Sequence, residues 1–208
     1  MKKSLDRWPV WSERALQGLA FWIGHRRSLY PHYPLGESAL VAETCNLIFA
    51  NLNPGELLLC ERQYTQLMPS GKWPNTLGSR SRVDLTVVTG LTPAQTEHHQ
   101  PLVGHIVAAI EVKRASAPKT HIDQDLRRLA TFKQQNQAAR ALLFIVAEAH
   151  RPKRFVAPEG RAILGKTDIP GTTAHYRVRR ACKAASAFSG KESAHYACII
   201  EVFCAAHL

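Results

Sequence analysis

Two short segments, VDLTVVT at residues 83–89 and IVAAIEV at residues 106–112, decide how this chain folds. Both are apolar and rich in β-branched residues, which is typical of strands buried in a sheet. Each also contains one carboxylate, Asp84 in the first segment and Glu111 in the second. A buried carboxylate without a partner destabilises a fold by several kcal/mol, so both acids need a partner or a chemical role.

Lys113 follows Glu111 by two positions, and residues two apart in a strand project from the same face. If the two strands are neighbours, Asp84, Glu111 and Lys113 meet at one point. Two carboxylates suit a hard divalent cation such as Mg²⁺, and the carbonyl of Val112 is a further candidate metal ligand. The lysine would orient or deprotonate the attacking water and offset charge on a phosphate. The pattern predicts phosphodiester hydrolysis.

The segments on either side of these strands show helical and strand patterns in turn. Apolar spacings of three and four predict helices over 11–30, 37–52 and 123–138. Apolar or alternating runs predict four more strands, over 57–64, 141–146, 175–183 and 195–203. The order predicts a single α/β domain with a mixed central sheet flanked by helices. Its parts are an N-terminal helical extension over 1–36, a core over 37–150, and a basic excursion with a C-terminal β hairpin over 151–208.

In this setting two motifs resemble those of the PD-(D/E)xK nuclease superfamily. RVDLTVV at 82–88 is similar to the motif that carries the metal-binding Asp of the family, here Asp84. IEVKRA at 110–115 is similar to its E-x-K motif, here Glu111 and Lys113. The resemblance implies that the two acids bind the metal and that the lysine assists the nucleophilic water.

The resemblance also implies two site residues on helices. Family members often carry a Glu on the helix before the first strand, and Glu43 is the first choice here, with Glu37 as the competitor. The helix after E-x-K often brings a polar residue toward the site. In this chain that residue is Gln124, with Asp125 and Lys133 behind it.

The resemblance covers roughly residues 37–146 and departs from the family at Val83, which replaces the usual Pro. It implies a restriction-endonuclease-like fold with Mg²⁺ as cofactor and Mn²⁺ as a substitute. The implied activity is that of a metal-dependent endonuclease, and the implied substrate is DNA.

The charge of the chain is unevenly distributed. Its 208 residues include 27 Lys and Arg against 16 Asp and Glu, a formal net charge of +11. The excess lies in residues 1–36, with a net +4, and residues 151–183, with a net +7, whereas residues 37–150 are nearly neutral. A basic perimeter around an acidic centre is expected of an enzyme that binds both nucleic acid and a cation. A basic surface that serves only solubility is the competing interpretation.

The segment GKWPNTLGSRSR at 71–82 leads directly into Asp84. Its basic side chains would neutralise phosphates, and its tryptophan would stack on an exposed base or wedge a duplex. A surface loop without a role in binding is the alternative. The residues expected to contact DNA are Lys72, Trp73, Arg80, Arg82 and Arg114.

The sequence predicts a cytoplasmic location and no membrane partner. No stretch approaches the roughly 20 apolar residues of a membrane helix. The N-terminus lacks the apolar stretch and cleavage site of a secretion signal. Five scattered cysteines without a C-x-x-C pair suit a reducing compartment.

Other interpretations stay open on the sequence alone. The chain could be a nucleic-acid-binding module or a nuclease-complex subunit with weak or no cleavage of its own, or an interaction protein of a phage or mobile element. Asp84 and Lys113 could form a plain ion pair at a sheet edge, and His195 with Cys198 could contribute to a zinc site. A homodimer would suit an enzyme that cuts both strands, and a protein partner is a further option.

Overall fold

The computed structural model describes residues 8–68, 73–78, 80–92, 102, 104–184 and 195–204. Within these ranges lie three α-helices: α1 (Val10–Leu29), α2 (Glu37–Phe49) and α3 (Lys119–Gln135). The strands are β1 (Glu56–Gln63), β2 (Arg82–Thr89), β3 (Ile106–Arg114), β4 (Arg140–Ala147), β5 (Thr167–Asp168), β6 (His175–Lys183) and β7 (Tyr196–Phe203). Two short 3-10 turns lie between β1 and β2, at Tyr64–Leu67 and Asn75–Leu77.

These strands form one mixed sheet with the order β1-β2-β3-β4-β7-β6-β5. β3 and β4 run parallel, and the other described neighbours are antiparallel. A parallel pair needs a crossover connection, and α3 supplies it between β3 and β4. The predicted α/β class, with a mixed central sheet flanked by helices, is confirmed.

The C-terminal strand pair is part of the central sheet, whereas the sequence predicted it as an elaboration. β7 pairs with β4 from Leu142↔Glu201 to Ala147↔Tyr196, and β6 pairs along the other edge of β7. The reason is the apolar run of β4, which is buried on both faces and therefore lies inside the sheet with a neighbour on each edge.

α3 begins at Lys119, before the start at residue 123 that its apolar pattern predicts. The pattern becomes visible only where side chains reach the core, beginning at Ile122. Pro118 precedes the helix as its N-cap residue, and its fixed φ suits a helix start. The first turn of α3 therefore lies beside the end of β3.

The helices cover both faces of the sheet. α1 and α2 cover one face, where Trp11, Leu40 and Phe144 are fully buried. α3 covers the other face, where Leu126 and Phe132 are fully buried. Each such side chain stabilises the fold by about 1.5–3 kcal/mol relative to an exposed position. None of the helices within the described ranges is both long and apolar enough to cross a bilayer.

Candidate active site

The candidate site lies where β2 and β3 separate. The regular pairing of these strands reaches Leu85↔Ile110, and Asp84 and Glu111 are the next residue on each strand. Beyond this point the Oδ2 atom of Asp84 accepts a hydrogen bond from the backbone N–H of Val112 at 2.7 Å. The Asp84 side chain thus takes the place of the missing backbone partner. It ties the two strand ends together with a carboxylate.

Glu111 is held by a tyrosine that the sequence did not single out. Glu111 is 2% exposed, and its Oε1 atom accepts a hydrogen bond from the hydroxyl of Tyr64 at 2.6 Å. Tyr64 is fully buried at the start of the 3-10 turn that follows β1. The bond therefore fixes the Glu111 carboxylate from the β1 side of the site.

Trp73 supports this tyrosine and is not available to DNA in this structure. Its ring stacks on Tyr64 with centroids 4.4 Å apart and planes 9° from parallel. Its indole N–H donates to the carbonyl of Gly78 at 3.0 Å, and the residue is only 8% exposed. The sequence predicts that Trp73 stacks on a base, whereas in this structure its ring is covered by Tyr64. The apolar surface of its ring is satisfied by burial against Tyr64 instead.

Lys113 joins the two helical layers at the end of β3. Its Nζ atom lies 2.6 Å from Oε1 of Glu37 on α2 and 3.2 Å from Oδ2 of Asp125 on α3. The other oxygen of Asp125 pairs with Arg128 at 3.0 Å. A plain ion pair between Asp84 and Lys113 was one competing interpretation. In the structure Lys113 forms ion pairs with Glu37 and Asp125 instead.

On α2 the structure brings Glu37, rather than Glu43, to the site. Glu37 is the first residue of the helix and contacts Lys113 directly. Glu43 lies six residues later, which places it about 240° around the helix and about 9 Å along its axis. Leu40 and Thr44 are the buried positions that fix this rotation against the sheet. The expectation for Glu43 is corrected in favour of its competitor.

On α3 the contact with Lys113 comes from Asp125 rather than from Gln124. Asp125 is 2% exposed, whereas Gln124 is half-buried. One position in a helix corresponds to a rotation of about 100°, which is enough to exchange which side chain reaches the site. Leu126 and Leu129, which are buried against the sheet, set that rotation.

Burial raises the pKa of three carboxyl groups at this site. Burial raises the pKa of Asp84 to about 6, although the Val112 N–H and the charge of Lys113 oppose the shift. Burial and the negative charges of Asp84 and Asp125 raise the pKa of Glu111 well above its ordinary range. Burial also raises the pKa of Asp125. In the absence of a further cation, these acids therefore resist full ionisation.

The pKa of Lys113 is raised as well, so its ammonium group stays charged. Burial by itself lowers the pKa of Lys113, but the hydrogen bond to Glu37 and the charge of Asp125 more than offset this. A lysine held in this way donates hydrogen bonds and does not accept a proton near neutral pH. Of the two roles expected for Lys113, orientation of water fits this geometry and deprotonation of water does not.

The donor set fits a divalent cation. The cluster contains four carboxylates and two cationic groups, which belong to Glu37, Asp84, Glu111 and Asp125, and to Lys113 and Arg128. When all are ionised, two negative charges are in excess, which one divalent cation would balance. Mg²⁺ is commonly held by one or two carboxylates while it keeps several waters. Asp84 and Glu111 would be those ligands.

The carbonyl of Val112 stays a candidate third ligand. In a strand the N–H and C=O of one residue face the same neighbour, and the Val112 N–H is bonded to Asp84. In the described part of the chain no three His, Cys, Asp or Glu side chains are spaced to enclose a metal ion.

The zinc alternative involved His195. In this structure Nδ1 of His195 accepts a hydrogen bond from the backbone N–H of Ala149 at 3.1 Å, so this nitrogen already has a partner within the protein.

The basic residues expected to contact DNA have different surroundings. Lys72 lies outside the described residues. Arg80 and Arg82 are exposed just before Asp84. Arg114 is half-buried and donates from Nη1 to the carbonyl of Leu35 at 3.0 Å.

The structure therefore brings Asp84, Glu111 and Lys113 together, as the strand pattern predicted. It adds Tyr64 to the site, for which no sequence motif was a signal, and places Glu37 rather than Glu43, and Asp125 rather than Gln124, beside Lys113. No family model, curated protein or solved structure matches this chain.

Proposed function

We propose that this protein is a Mg²⁺-dependent deoxyribonuclease that hydrolyses phosphodiester bonds. The observation that carries the proposal is the meeting of Asp84, Glu111 and Lys113 where β2 and β3 separate. An acidic cluster with an excess of negative charge lies inside a chain whose net charge is +11. Such a chain attracts a polyanion and holds a cation at the place where a phosphate would be attacked.

The residues of the candidate site have separate roles in this proposal. Asp84 and Glu111 would hold Mg²⁺, or Mn²⁺ in its place, with help from the Val112 carbonyl. The metal would supply charge neutralisation and activation of water. Tyr64 fixes the orientation of Glu111 through its 2.6 Å hydrogen bond. Outer hydrogen bonds of this kind commonly tune metal affinity.

Lys113 acts as a fixed cation next to the scissile phosphate. Glu37 and Asp125 hold its ammonium group from both sides, which limits its conformational freedom. A preorganised positive group stabilises charge that develops on the phosphate without having to reorient during the reaction. Because its pKa is raised, Lys113 orients water and does not remove its proton.

A cavity of about 580 Å³ gives access to the cluster from the α2 side. Its lining includes Glu37, Asp84 and Glu61. Glu61 has φ 55°, in the left-handed region, at the position of β1 where the pairing with β2 is interrupted opposite Asp84. Glu61 and Asp84 both line the cavity at this interruption of the pairing.

The topology supports a restriction-endonuclease-like fold, which the sequence motifs imply. Strands β1, β2 and β3 are antiparallel, and α3 then leads into β4, which is parallel to β3. Asp84 lies near the start of β2 and Glu111 near the end of β3, so both acids lie at the same edge of the sheet. The preference for DNA over RNA rests on the family resemblance of the two motifs.

The experiment is a cleavage assay with plasmid and single-stranded DNA in Mg²⁺, Mn²⁺ or EDTA. The wild type is compared with Asp84→Ala and Lys113→Ala, and with matched controls at exposed positions, Asp168→Ala and Lys166→Ala. We expect metal-dependent cutting that falls by about 10³-fold in both site variants and changes little in the controls.

Metal-dependent cutting that survives both site substitutions would overturn the assignment of the site. DNA binding without any cutting under these conditions would favour the alternative, a nucleic-acid-binding module or nuclease-complex subunit.

A further inference from the structure

A second cavity of about 580 Å³, here called the basic cavity, lies beside the carboxyl ends of the parallel strands β3 and β4. It is lined by the segments that follow these strands, by the first turn of α3 and by the end of α1. None of the four cluster carboxylates lines it. The basic cavity is therefore separate from the candidate metal site.

Positive side chains dominate the lining of the basic cavity. Among the described residues they are Arg27, Arg114, Lys119, Arg151, Lys153 and Arg154. The acidic residue among the lining is Glu148, which already pairs with Arg26 at 3.3 Å and accepts the Leu35 N–H at 3.0 Å. The excess of positive charge in the cavity is thus not balanced from within its own walls.

Two of these arginines have buried nitrogen atoms without a hydrogen-bond partner in the described part of the chain. They are Nε of Arg114 and Nη1 of Arg154. The remaining contacts of both side chains hold them in place: Arg114 donates to the Leu35 carbonyl, and Arg154 pairs with Asp123 at 2.6 Å. A buried donor without a partner is costly, and both side chains line the basic cavity, where a bound anion would add a hydrogen-bond acceptor beside them.

The start of α3 adds to the attraction for an anion. The helix begins at Lys119, and its N-cap residue Pro118 makes no side-chain cap hydrogen bond. Lys119 and Ile122 from this first turn line the basic cavity. The backbone N–H groups and the positive end of a helix dipole favour negative charge at such a position.

The basic cavity also has an apolar wall. Leu35, Ile122, Val146 and Phe155 line it and are almost fully buried, and its more exposed apolar surface comes from Pro34, Ala115 and Ala117. A free inorganic anion gains nothing from contact with apolar side chains. A nucleotide, in contrast, places its phosphate beside charged side chains and its base against apolar side chains. The combination therefore fits a nucleotide better than a phosphate alone.

The basic cavity adjoins the candidate active site through the chain itself. Arg114 of the cavity follows Lys113 of the cluster, and Leu35 precedes Glu37 by two residues. Adjacent residues of a strand project to opposite sides, so one strand end serves both places. The Cα atoms of Lys113 and Arg114 are about 3.8 Å apart, as in any consecutive pair, so the two places meet at one point of the chain.

We propose that the basic cavity binds one unpaired nucleotide of the DNA strand that is cut, next to the scissile phosphate. This inference rests on the proposed nuclease function and adds the substrate class: single-stranded DNA or DNA with an unpaired end. A volume of about 580 Å³ accepts one nucleotide but not a duplex, whose bases are stacked and paired. Continuous duplex would first have to be unpaired, which costs free energy.

The test compares the binding of three fluorescent oligonucleotides by the full chain: a single strand, a hairpin with an unpaired tail and the same hairpin with a blunt end. Ca²⁺ replaces Mg²⁺ to slow cutting, and anisotropy reports affinity. The cavity variant carries two substitutions together, Lys119→Glu and Lys153→Glu. Both lysines line the cavity and are exposed. The matched control is Lys166→Glu with Lys183→Glu, which makes the same change in charge at exposed positions elsewhere.

We expect the wild type to bind the tailed hairpin and the single strand more tightly than the blunt hairpin. The cavity variant should lose this preference, with at least about a tenfold lower affinity for the unpaired substrates. The control variant should weaken all three to a similar, smaller extent. Equal weakening of all three oligonucleotides by both double variants would overturn the proposal.

A second variant tests occupation of the cavity without a change in charge. Ser116 is exposed and lines the cavity, so Ser116→Trp narrows it, with Ser116→Ala as its control. We expect the tryptophan variant alone to reduce binding of the unpaired substrates, and unchanged binding would contradict the proposal. Cutting without preference for unpaired ends would support the nuclease function and refute this inference. Preference for unpaired substrates in binding, without any cutting, would support this inference and refute the nuclease function.

Discussion

The end of β3 separates two regions of opposite charge. On one side Lys113 lies among carboxylates, and burial together with the negative charges of Asp84 and Asp125 raises the pKa of Glu111. On the other side Arg114 lines a cavity of arginines and lysines, in which Nε of Arg114 and Nη1 of Arg154 have no hydrogen-bond partner among the described residues. Neither region balances its own charge. The difference teaches that one strand end can carry both an acidic and a basic region, because adjacent residues project to opposite sides.

The largest expected effect comes from a change that affects only the acidic side. Glu111→Gln keeps the size of the side chain but removes its charge, so we expect cleavage to fall by about 10³-fold. DNA binding should be kept or improved, since a charge that repels phosphate is lost. Cleavage and anisotropy measured on the same preparation check this. A parallel loss of binding would show that the two regions are not separable.

The acidic side also predicts how stability depends on pH without metal. The pKa of Asp84 is raised from 3.8 to about 6 in the folded protein. Between these pH values the folded state keeps a proton that the unfolded state has lost. The proton on Asp84 therefore stabilises the folded state fully at low pH. This stabilisation, about 3 kcal/mol in the free energy of unfolding, is lost as pH rises through about 6.

Urea unfolding in EDTA from pH 4 to pH 8 measures this effect as the difference between wild type and Asp84→Asn. We expect Mn²⁺ to stabilise the wild type more at pH 7 than at pH 5, because the metal binds the ionised acids. A difference between the two proteins that does not change with pH would refute the assignment of a buried, protonated Asp84.

A smaller effect is expected for the hydroxyl that holds Glu111. Tyr64→Phe removes the 2.6 Å hydrogen bond but keeps the ring on Trp73, so we expect 10–100-fold weaker metal affinity or activity, roughly the usual cost of losing such a bond. A Mn²⁺ titration of cleavage measures it. Tyr176→Phe is the contrasting variant, because its hydroxyl accepts from Arg154 of the basic cavity at 3.2 Å. That variant should leave the Mn²⁺ response unchanged.

The smallest effect distinguishes the two glutamates of α2. Glu37→Gln weakens the hold on Lys113, and we expect a loss of several-fold in cleavage, since the Glu37 side chain is 40% exposed and water screens the pair. Glu43→Gln should have no effect. Initial cleavage rates of both variants in Mg²⁺ measure this, and a larger loss in Glu43→Gln would restore the expectation from sequence.

The sequence by itself determined the three helices, all described strands except the two-residue β5, and the three central residues of the candidate site. The strands carrying Asp84, Glu111 and Lys113 are visible because burial and two-residue alternation are local properties of a chain. Local patterns also placed the helices to within a few residues, although α3 begins earlier because its first turn has little contact with the core.

Only the tertiary structure decided which neighbours complete the site. Glu37 rather than Glu43, and Asp125 rather than Gln124, depend on the rotation of each helix against the sheet, which is set by packing. The contact of Tyr64 with Glu111 joins residues that are 47 positions apart. Periodicity within one element carries no information about such a pair, because the distance between two elements is fixed only when the whole sheet and its two covering layers are packed together.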